Sequence, residues 1–275
     1  MEPAAMTSLL ALMAGEGLLA VDLQALARGP SGPGGTERRA GAVAVLPVAG
    51  VMLPRTRSGG WSGPIPGMDA LRSALAGATV NPDISAIVLD VDSPGGTVVG
   101  TAETAAAVRA AAAVKPVIAV ANGMAASAAY WIISGATEIV AAPAAELGSI
   151  GVVMMHQSWA RAYDRMGVDT TMIQSSPFKT EVSSFAPLTD EARANLQSRV
   201  DSSHREFVSA VASGRKVSAA YVEERFGRGR LVDAADAVAA GMADRVASLD
   251  TVIGELLNGA KPRAFARRAD VFAFV

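Results

Sequence analysis

Four short segments carry residues whose types and spacing could do chemistry. In Asn122-Gly123-Met124-Ala125-Ala126-Ser127-Ala128-Ala129-Tyr130 an apolar run ends, a glycine turns the chain, and small residues open a helix with Ser127 in its first turn. That is the layout of a nucleophile elbow: small neighbours allow close approach, and the Ala128 N–H points the same way as the serine hydroxyl. The segment lacks a Gly-x-Ser-x-Gly pattern, and a tightly packed helix capped by Ser127 also fits it. Asp92-Ser93-Pro94-Gly95-Gly96 follows the apolar run Ala86–Val91. Proline stops a strand, and paired glycines permit backbone angles that bare N–H groups to an oxyanion; a plain strand-to-helix turn is the other reading. Gly148-Ser149-Ile150-Gly151-Val152 brackets a serine with glycines at the start of an apolar run, as a close strand crossing also would. Ser175-Ser176-Pro177-Phe178-Lys179-Thr180 places Lys179 in a polar loop, where most lysines are simply solvated.

Acyl transfer to serine needs a nucleophile, a base and an oxyanion hole. The chain has no cysteine and two histidines, His156 and His204. Cysteine nucleophiles, disulfide scaffolds, thiolate zinc sites and multi-histidine metal sites are thereby set aside, and no cofactor is implied. His156 is a base in principle, but no orienting acid stands at a telling spacing. A desolvated lysine can serve instead, as in Ser-Lys variants of the triad. Lysine is scarce here: 20 arginines stand against Lys115, Lys179, Lys216 and Lys261. Arginine replaces lysine wherever only positive charge is wanted, so a retained lysine is a candidate deprotonatable amine.

The elements that must position these groups alternate along the chain. Short apolar runs at Ala42–Val48, Ala86–Val91, Val117–Ala121, Glu138–Ala141, Ser149–Met154 and Asp169–Gln174 read as strands. Helices are expected at Met68–Ala76, Thr101–Ala113, Ala125–Gly135, Ser158–Met166, Thr189–Ser213 (Thr189 as N-cap), Ala219–Phe226 and Ala234–Ala240. This alternation means βαβ units and a mostly parallel sheet, an α/β fold. The short strands and varied connections suit a spiral of ββα turns better than a regular open sheet. Residues 1–35 read as an N-terminal helical arm and linker, 36–258 as the domain, and 259–275 as a basic, apolar tail. The 275 residues carry a net charge of −2, with 51 % apolar and 18 % charged residues and a mean hydropathy of +0.32. That composition builds a hydrophobic core and argues against disorder and against a nucleic-acid surface. The apolar stretch Met6–Val21 is interrupted by Glu16 and lacks a basic leader, so it is expected as an amphipathic helix rather than an integral membrane segment.

Taken together, Ser93-Pro94-Gly95-Gly96, Met124-Ala125-Ala126-Ser127, Gly148-Ser149-Ile150-Gly151 and Lys179 resemble the signal peptide peptidase A family of Clp/crotonase-fold serine peptidases. Ser149 and Lys179 stand 22 and 52 residues after Ser127, as in the short, single-repeat members. The resemblance runs from about Ala42 to Val246. Within the family it is greatest to the phage minor capsid protein C, or prohead protease, type, through Val43-Ala44-Val45-Leu46-Pro47-Val48 followed by Arg55-Thr56-Arg57, and through Leu188 to Phe207 with Leu196-Gln197-Ser198-Arg199-Val200-Asp201. It implies Ser127 as nucleophile, Lys179 as general base, Ser149 as the residue that orients the lysine amine, and the N–H groups of Gly96 and Ala128 as the oxyanion hole. Membrane-bound members usually carry glycine after the nucleophile, where this chain has Ala128-Ala129. A peptide or protein substrate, a homo-oligomer, and capsid, scaffold or portal partners follow from the same likeness. So does a cytoplasmic location, or incorporation in a phage prohead.

Four other functions compete with this one. One is a bacterial peptidase that degrades signal peptides. A crotonase-like acyl-CoA hydratase or isomerase would need carboxylates as acid and base, and the glycine loops offer none beyond Asp92. A Clp proteolytic subunit would need a histidine–aspartate pair, and His156 is its one candidate. A capsid-assembly scaffold on an inactive protease fold would have no use for an intact Ser127 and Lys179. The small-residue stretches Ala102–Ala113 and Ala125–Ala129 are further expected to pack against neighbouring subunits.

Overall fold

The computed structural model describes residues 42–58, 64–65 and 67–260. The expected arm and linker over 1–35 and the tail from Lys261 lie outside the described residues. In chain order the elements are β1 (Ala42–Ala49), β2 (Arg57–Ser58), β3 (Pro64–Ile65), α1 (Met68–Val80), β4 (Ile84–Ser93), α2 (Thr101–Val114), β5 (Val117–Ala126), α3 (Ala128–Ile133), β6 (Glu138–Ala141), β7 (Glu146–Gly148), α4 (Ala160–Met166), α5 (Asp190–Arg215), α6 (Ala219–Arg225), β8 (Leu231–Asp233), α7 (Ala234–Ala240), β9 (Arg245–Val246) and α8 (Leu249–Leu257). β1, β4, β5, β6 and β9 lie side by side in parallel. β7 adds parallel to the end of β5, and β8 pairs antiparallel with β7, completing a seven-stranded sheet.

The uninterrupted apolar runs of β4 and β5 follow from burial on both faces. Ile87, Leu89 and Val91 point into the larger core with α1, α2, α3 and α5, while Ala86 and Val88 point into a smaller one closed by Val252 of α8. Trp131 of α3 stacks on Phe207 of α5, with ring centroids 4.8 Å apart. Thr189 caps α5 as expected, its hydroxyl accepting the Ala192 N–H at 3.1 Å.

Arg215, the last residue of α5, is 1 % exposed and forms a bidentate pair with Asp244 at 2.7 and 3.2 Å. Asp244 also accepts the Ile139 N–H of β6 at 2.7 Å. The pair therefore bolts α5 to the β6–β9 edge. Asp244→Ala is expected to cost about 3–5 kcal/mol, because it leaves a buried guanidinium without its carboxylate. Denaturant unfolding of the variant against wild type measures this.

Four expectations are corrected. The helix expected from Ala125 starts at Ala128, because Ala125 and Ala126 stay in β5 and pair with Leu147 and Gly148. The strand expected over Ser149–Met154 lies instead at Glu146–Gly148; it ends where Ser149 turns to φ 51° and gives its N–H to the Arg230 carbonyl at 2.8 Å. Asp169–Gln174 has no strand partner among the described residues and is exposed throughout. Ala125, Ala126, Ala128 and Ala129, expected at a subunit surface, are buried inside the protomer; in Ala102–Ala113, Ala105 and Ala111 are buried, while Ala106, Ala110 and Ala113 are exposed. Apolar side chains allotted to the two missing strands are on the surface instead: Val153, Met155 and Ile173 are 90, 80 and 97 % exposed.

Candidate active site

Ser127 sits at the junction of β5 and α3, with φ 51° and ψ −123°. A non-glycine residue there costs of order 1–3 kcal/mol and persists when its surroundings over-determine it. Its own N–H donates to the Gly148 carbonyl at 2.8 Å, and its carbonyl accepts from Trp131, opening α3. The hydroxyl makes no cap hydrogen bond, so the reading of Ser127 as a plain helix cap fails. The side chain is half-buried, and no partner for Oγ is found among the described residues. β5 reaches this turn through a bulge: Val91 pairs with Ala121, but Ser93 pairs with Ala125. Asp92 fills the gap, accepting the Met124 N–H at 3.1 Å.

The Ser93–Gly96 loop lies directly against Ser127. A Cβ on Gly95 would fall 2.6 Å from the Ser127 Cβ and 3.0 Å from the Ala128 nitrogen, and Gly95 has φ +101°, so glycine is required twice over. On the other side, a Cβ on Gly96 would collide with the Met52 carbonyl at 2.0 Å. Met52 clamps the loop, donating its N–H to the Gly95 carbonyl at 2.8 Å and accepting the Thr97 N–H at 3.0 Å. A trans peptide directs its C=O and N–H to opposite sides. With the Gly95 carbonyl held by Met52, the Gly96 N–H is turned away from Met52. Among the described residues neither the Gly96 nor the Ala128 N–H finds an acceptor. Ala128 is moreover the first residue of α3, where amide N–H groups have no partner within the helix.

Ser149 also has φ 51° and follows Gly148, the residue whose carbonyl holds Ser127. The two serines thus occupy adjacent turns at the ends of paired strands β5 and β7. Lys179 is not brought to them. It lies on the exposed segment between β7 and α5, its N–H bonded to Ser176 at 3.2 Å, and Nζ makes no hydrogen bond or ion pair among the described residues. α4, on the same segment, buries none of its residues. His156 is held within this segment, Nε2 lying 3.1 Å from the Ser183 carbonyl, which gives no support to a Clp-type base. Behind the site, burial raises the Asp90 carboxyl above the usual carboxylate range. Asn122, donating to it at 3.1 Å, opposes the shift, and Asp92 adds to it.

Sequence reasoning singled out Gly96 and missed what holds its loop. Met52 carries no signal, since its role is played by backbone atoms. Ser93 was legible as part of the loop motif, but its hydrogen bonds are long-range and belong to the fold.

Comparisons with known proteins give the family. The chain is 33 % identical over 224 residues to the capsid assembly protease C of Escherichia phage lambda, covering 80 % of this chain and 51 % of that protein. It is 32 % identical to the head-tail preconnector protein GP5 of Enterobacteria phage P21, covering 77 % and 42 % of the two chains. It is equally similar, at 32 %, to protease 4 of Salmonella typhi, over 71 % and 31 %. The chain thus spans about half or less of the length of these relatives. Among solved structures, a point mutant of the 1510-N membrane-bound stomatin-specific protease superposes with a TM-score of 0.52 at 14 % identity, covering 82 % of this chain and 98 % of that one, which is a likeness of fold. The sequence profile of peptidase family S49 matches residues 109–262, a stretch that contains Ser127, Ser149 and Lys179. The chain therefore belongs to peptidase family S49.

Proposed function

We propose that this chain is a serine endopeptidase with a Ser–Lys dyad, hydrolysing peptide bonds through an acyl-enzyme during phage capsid maturation. The observation that carries the reading is the strained, unengaged Ser127 beside the unoccupied N–H groups of Gly96 and Ala128. Ser127 Oγ attacks the scissile carbonyl carbon as its proton passes to Lys179 Nζ. The resulting oxyanion is received by the two N–H groups, which need no reorganisation. Collapse expels the amine, which takes the proton from Lys179. Water then gives a proton to the same lysine and attacks the ester carbon; the acyl C–O bond breaks, and the proton passes from Lys179 to Ser127 Oγ. Ser149 steadies the amine.

The capsid role is supported by the phage relatives, which are similar over 80 and 77 % of this chain. A signal-peptide-degrading role is the alternative; protease 4 of Salmonella typhi covers less of the chain, at 71 %. Among the described residues no helix is long and apolar enough to cross a membrane. A non-catalytic scaffold leaves the strain at Ser127 without a use.

The base is completed by a second copy of the chain. Lys179 is exposed, and the segment that carries it presents Val153, Met155, Ile173 and Phe178 to solvent, at 90, 80, 97 and 56 % exposure. Exposed apolar side chains along one segment give a docking neighbour apolar area to bury. A neighbouring protomer docking there would cover it and receive its lysine. The test mixes Ser127→Ala with Lys179→Ala, each inactive alone, under conditions of subunit exchange. Activity returns as mixed oligomers form sites holding both groups. Continued inactivity after exchange is demonstrated would place serine and lysine in one protomer.

A further inference from the structure

We propose that Ser93 is a positioning residue for the oxyanion hole: its hydroxyl sets the Gly95 peptide so that the Gly96 N–H is aimed before substrate arrives. The inference rests on the peptidase reading above and assigns a role to a side chain that the reading does not use.

Ser93 is the last residue of β4 and is 0 % exposed. A buried hydroxyl is costly unless both its donor and acceptor capacities are used. Here they are. Oγ donates to the Gly50 carbonyl at 2.6 Å and accepts the Gly95 N–H at 3.1 Å. Gly50 is itself anchored, its N–H donating to the Asp92 carbonyl at 2.9 Å. The hydroxyl therefore ties the exit of β1 to the glycine loop two residues ahead.

The consequence for Gly96 follows from peptide geometry. The Gly95 N–H is fixed by Ser93, and the Gly95 carbonyl is fixed by the Met52 N–H at 2.8 Å. The planes before and after the Gly95 Cα are thus both set, and φ +101° at Gly95 is what reconciles them. The Gly96 N–H belongs to the second plane and points away from Met52. Without the Ser93 hydroxyl, the first plane loses its restraint, and a glycine has the freedom to swing. An oxyanion donor is worth most when it is already in place, and it acts on the transition state rather than on bound substrate.

Kinetics separate positioning from simple stabilisation. Ser93→Ala, Ser93→Cys and Ser93→Thr are compared with wild type in the full chain, using a quenched fluorogenic peptide that wild type cleaves. The inactivation rate by a fluorophosphonate, whose tetrahedral adduct also places an oxygen in the hole, is measured in parallel. For Ser93→Ala we expect kcat to fall about tenfold to a hundredfold with KM nearly unchanged, and the fluorophosphonate rate to fall in step, somewhat less than the 10²–10³ for outright removal of an oxyanion donor. Ser93→Thr keeps the hydroxyl and recovers most of kcat. Ser93→Cys, close in size but a weak hydrogen-bond former, lies between and serves if the alanine variant does not fold. Wild-type kcat in folded Ser93→Ala, or in folded Ser93→Cys where alanine does not fold, overturns the proposal, as does a loss confined to KM. Ser127→Ala is run alongside. If it is inactive while folded Ser93→Ala keeps full kcat, the Ser93 role alone falls. If Ser127→Ala still turns over, the nucleophile assignment falls and Ser93 with it.

Discussion

Ser127→Ala removes peptide hydrolysis, lowering kcat by about 10⁴–10⁶-fold, while the protein folds as before. Both halves follow from the turn. Loss of the nucleophile removes the acyl-enzyme route entirely, and what remains is the small residual rate from binding and oxyanion donors. The fold is spared because Ser127 Oγ caps nothing and the Cβ is retained. The backbone restraints are the Gly148 carbonyl, the Trp131 N–H and the abutting Gly95, and none involves the hydroxyl. Ser127→Gly carries the reasoning further. At φ 51° and ψ −123° glycine has no Cβ penalty, so this variant is equally inactive yet as stable as wild type or more stable, by up to about 1 kcal/mol. Steady-state hydrolysis and denaturant unfolding of the three proteins check both statements. An inactive variant that gains stability is the pattern of a residue held under strain for chemistry.

Lys179→Arg loses nearly as much activity as Lys179→Ala, about 10²–10⁴-fold in kcat for each. If the side chain acted through charge alone, arginine would rescue it. A guanidinium remains protonated at any working pH and cannot take the Ser127 proton, whereas a primary amine can. Steady-state hydrolysis of the same peptide by wild type and both variants is the check. Arginine at 179 retaining most activity would reduce Lys179 to an electrostatic role.

The parts of the fold that can be read in the sequence are those whose physics is local. β4 and β5 are buried on both faces, so an unbroken apolar run identifies each. Thr189 and α7 (Ala234–Ala240) are legible to the residue because a cap and a short amphipathic turn need no distant partner. Where the sequence misleads, surface exposure imitates burial. Val152 to Met155 looks like a core strand by composition, yet it lies on a largely exposed segment. Strands β8 and β9, of three and two residues, are too short to show any period; distant backbone pairing creates them.

The site divides the same way. Ser127, Gly95 and Gly96 stand out in the sequence through residue type, each with a plainer reading beside it: a capped helix for the serine and a turn for the glycines. The strain at Ser127 and Ser149, the clamp at Met52 and the hydrogen bonds of Ser93 are products of the assembled sheet. The Ser149 turn, for instance, depends on the Arg230 carbonyl, 81 positions away in the chain. No local pattern encodes such a contact.

The most direct test of Ser127 as an activated nucleophile is covalent labelling of the full chain with a fluorophosphonate, followed by peptide mapping in a mass spectrometer. The account predicts a single adduct per chain, on Ser127 Oγ, and none on Ser127→Ala. An adduct on Ser149 or another serine, or a folded, hydrolytically active protein that takes up no label at Ser127, would contradict it.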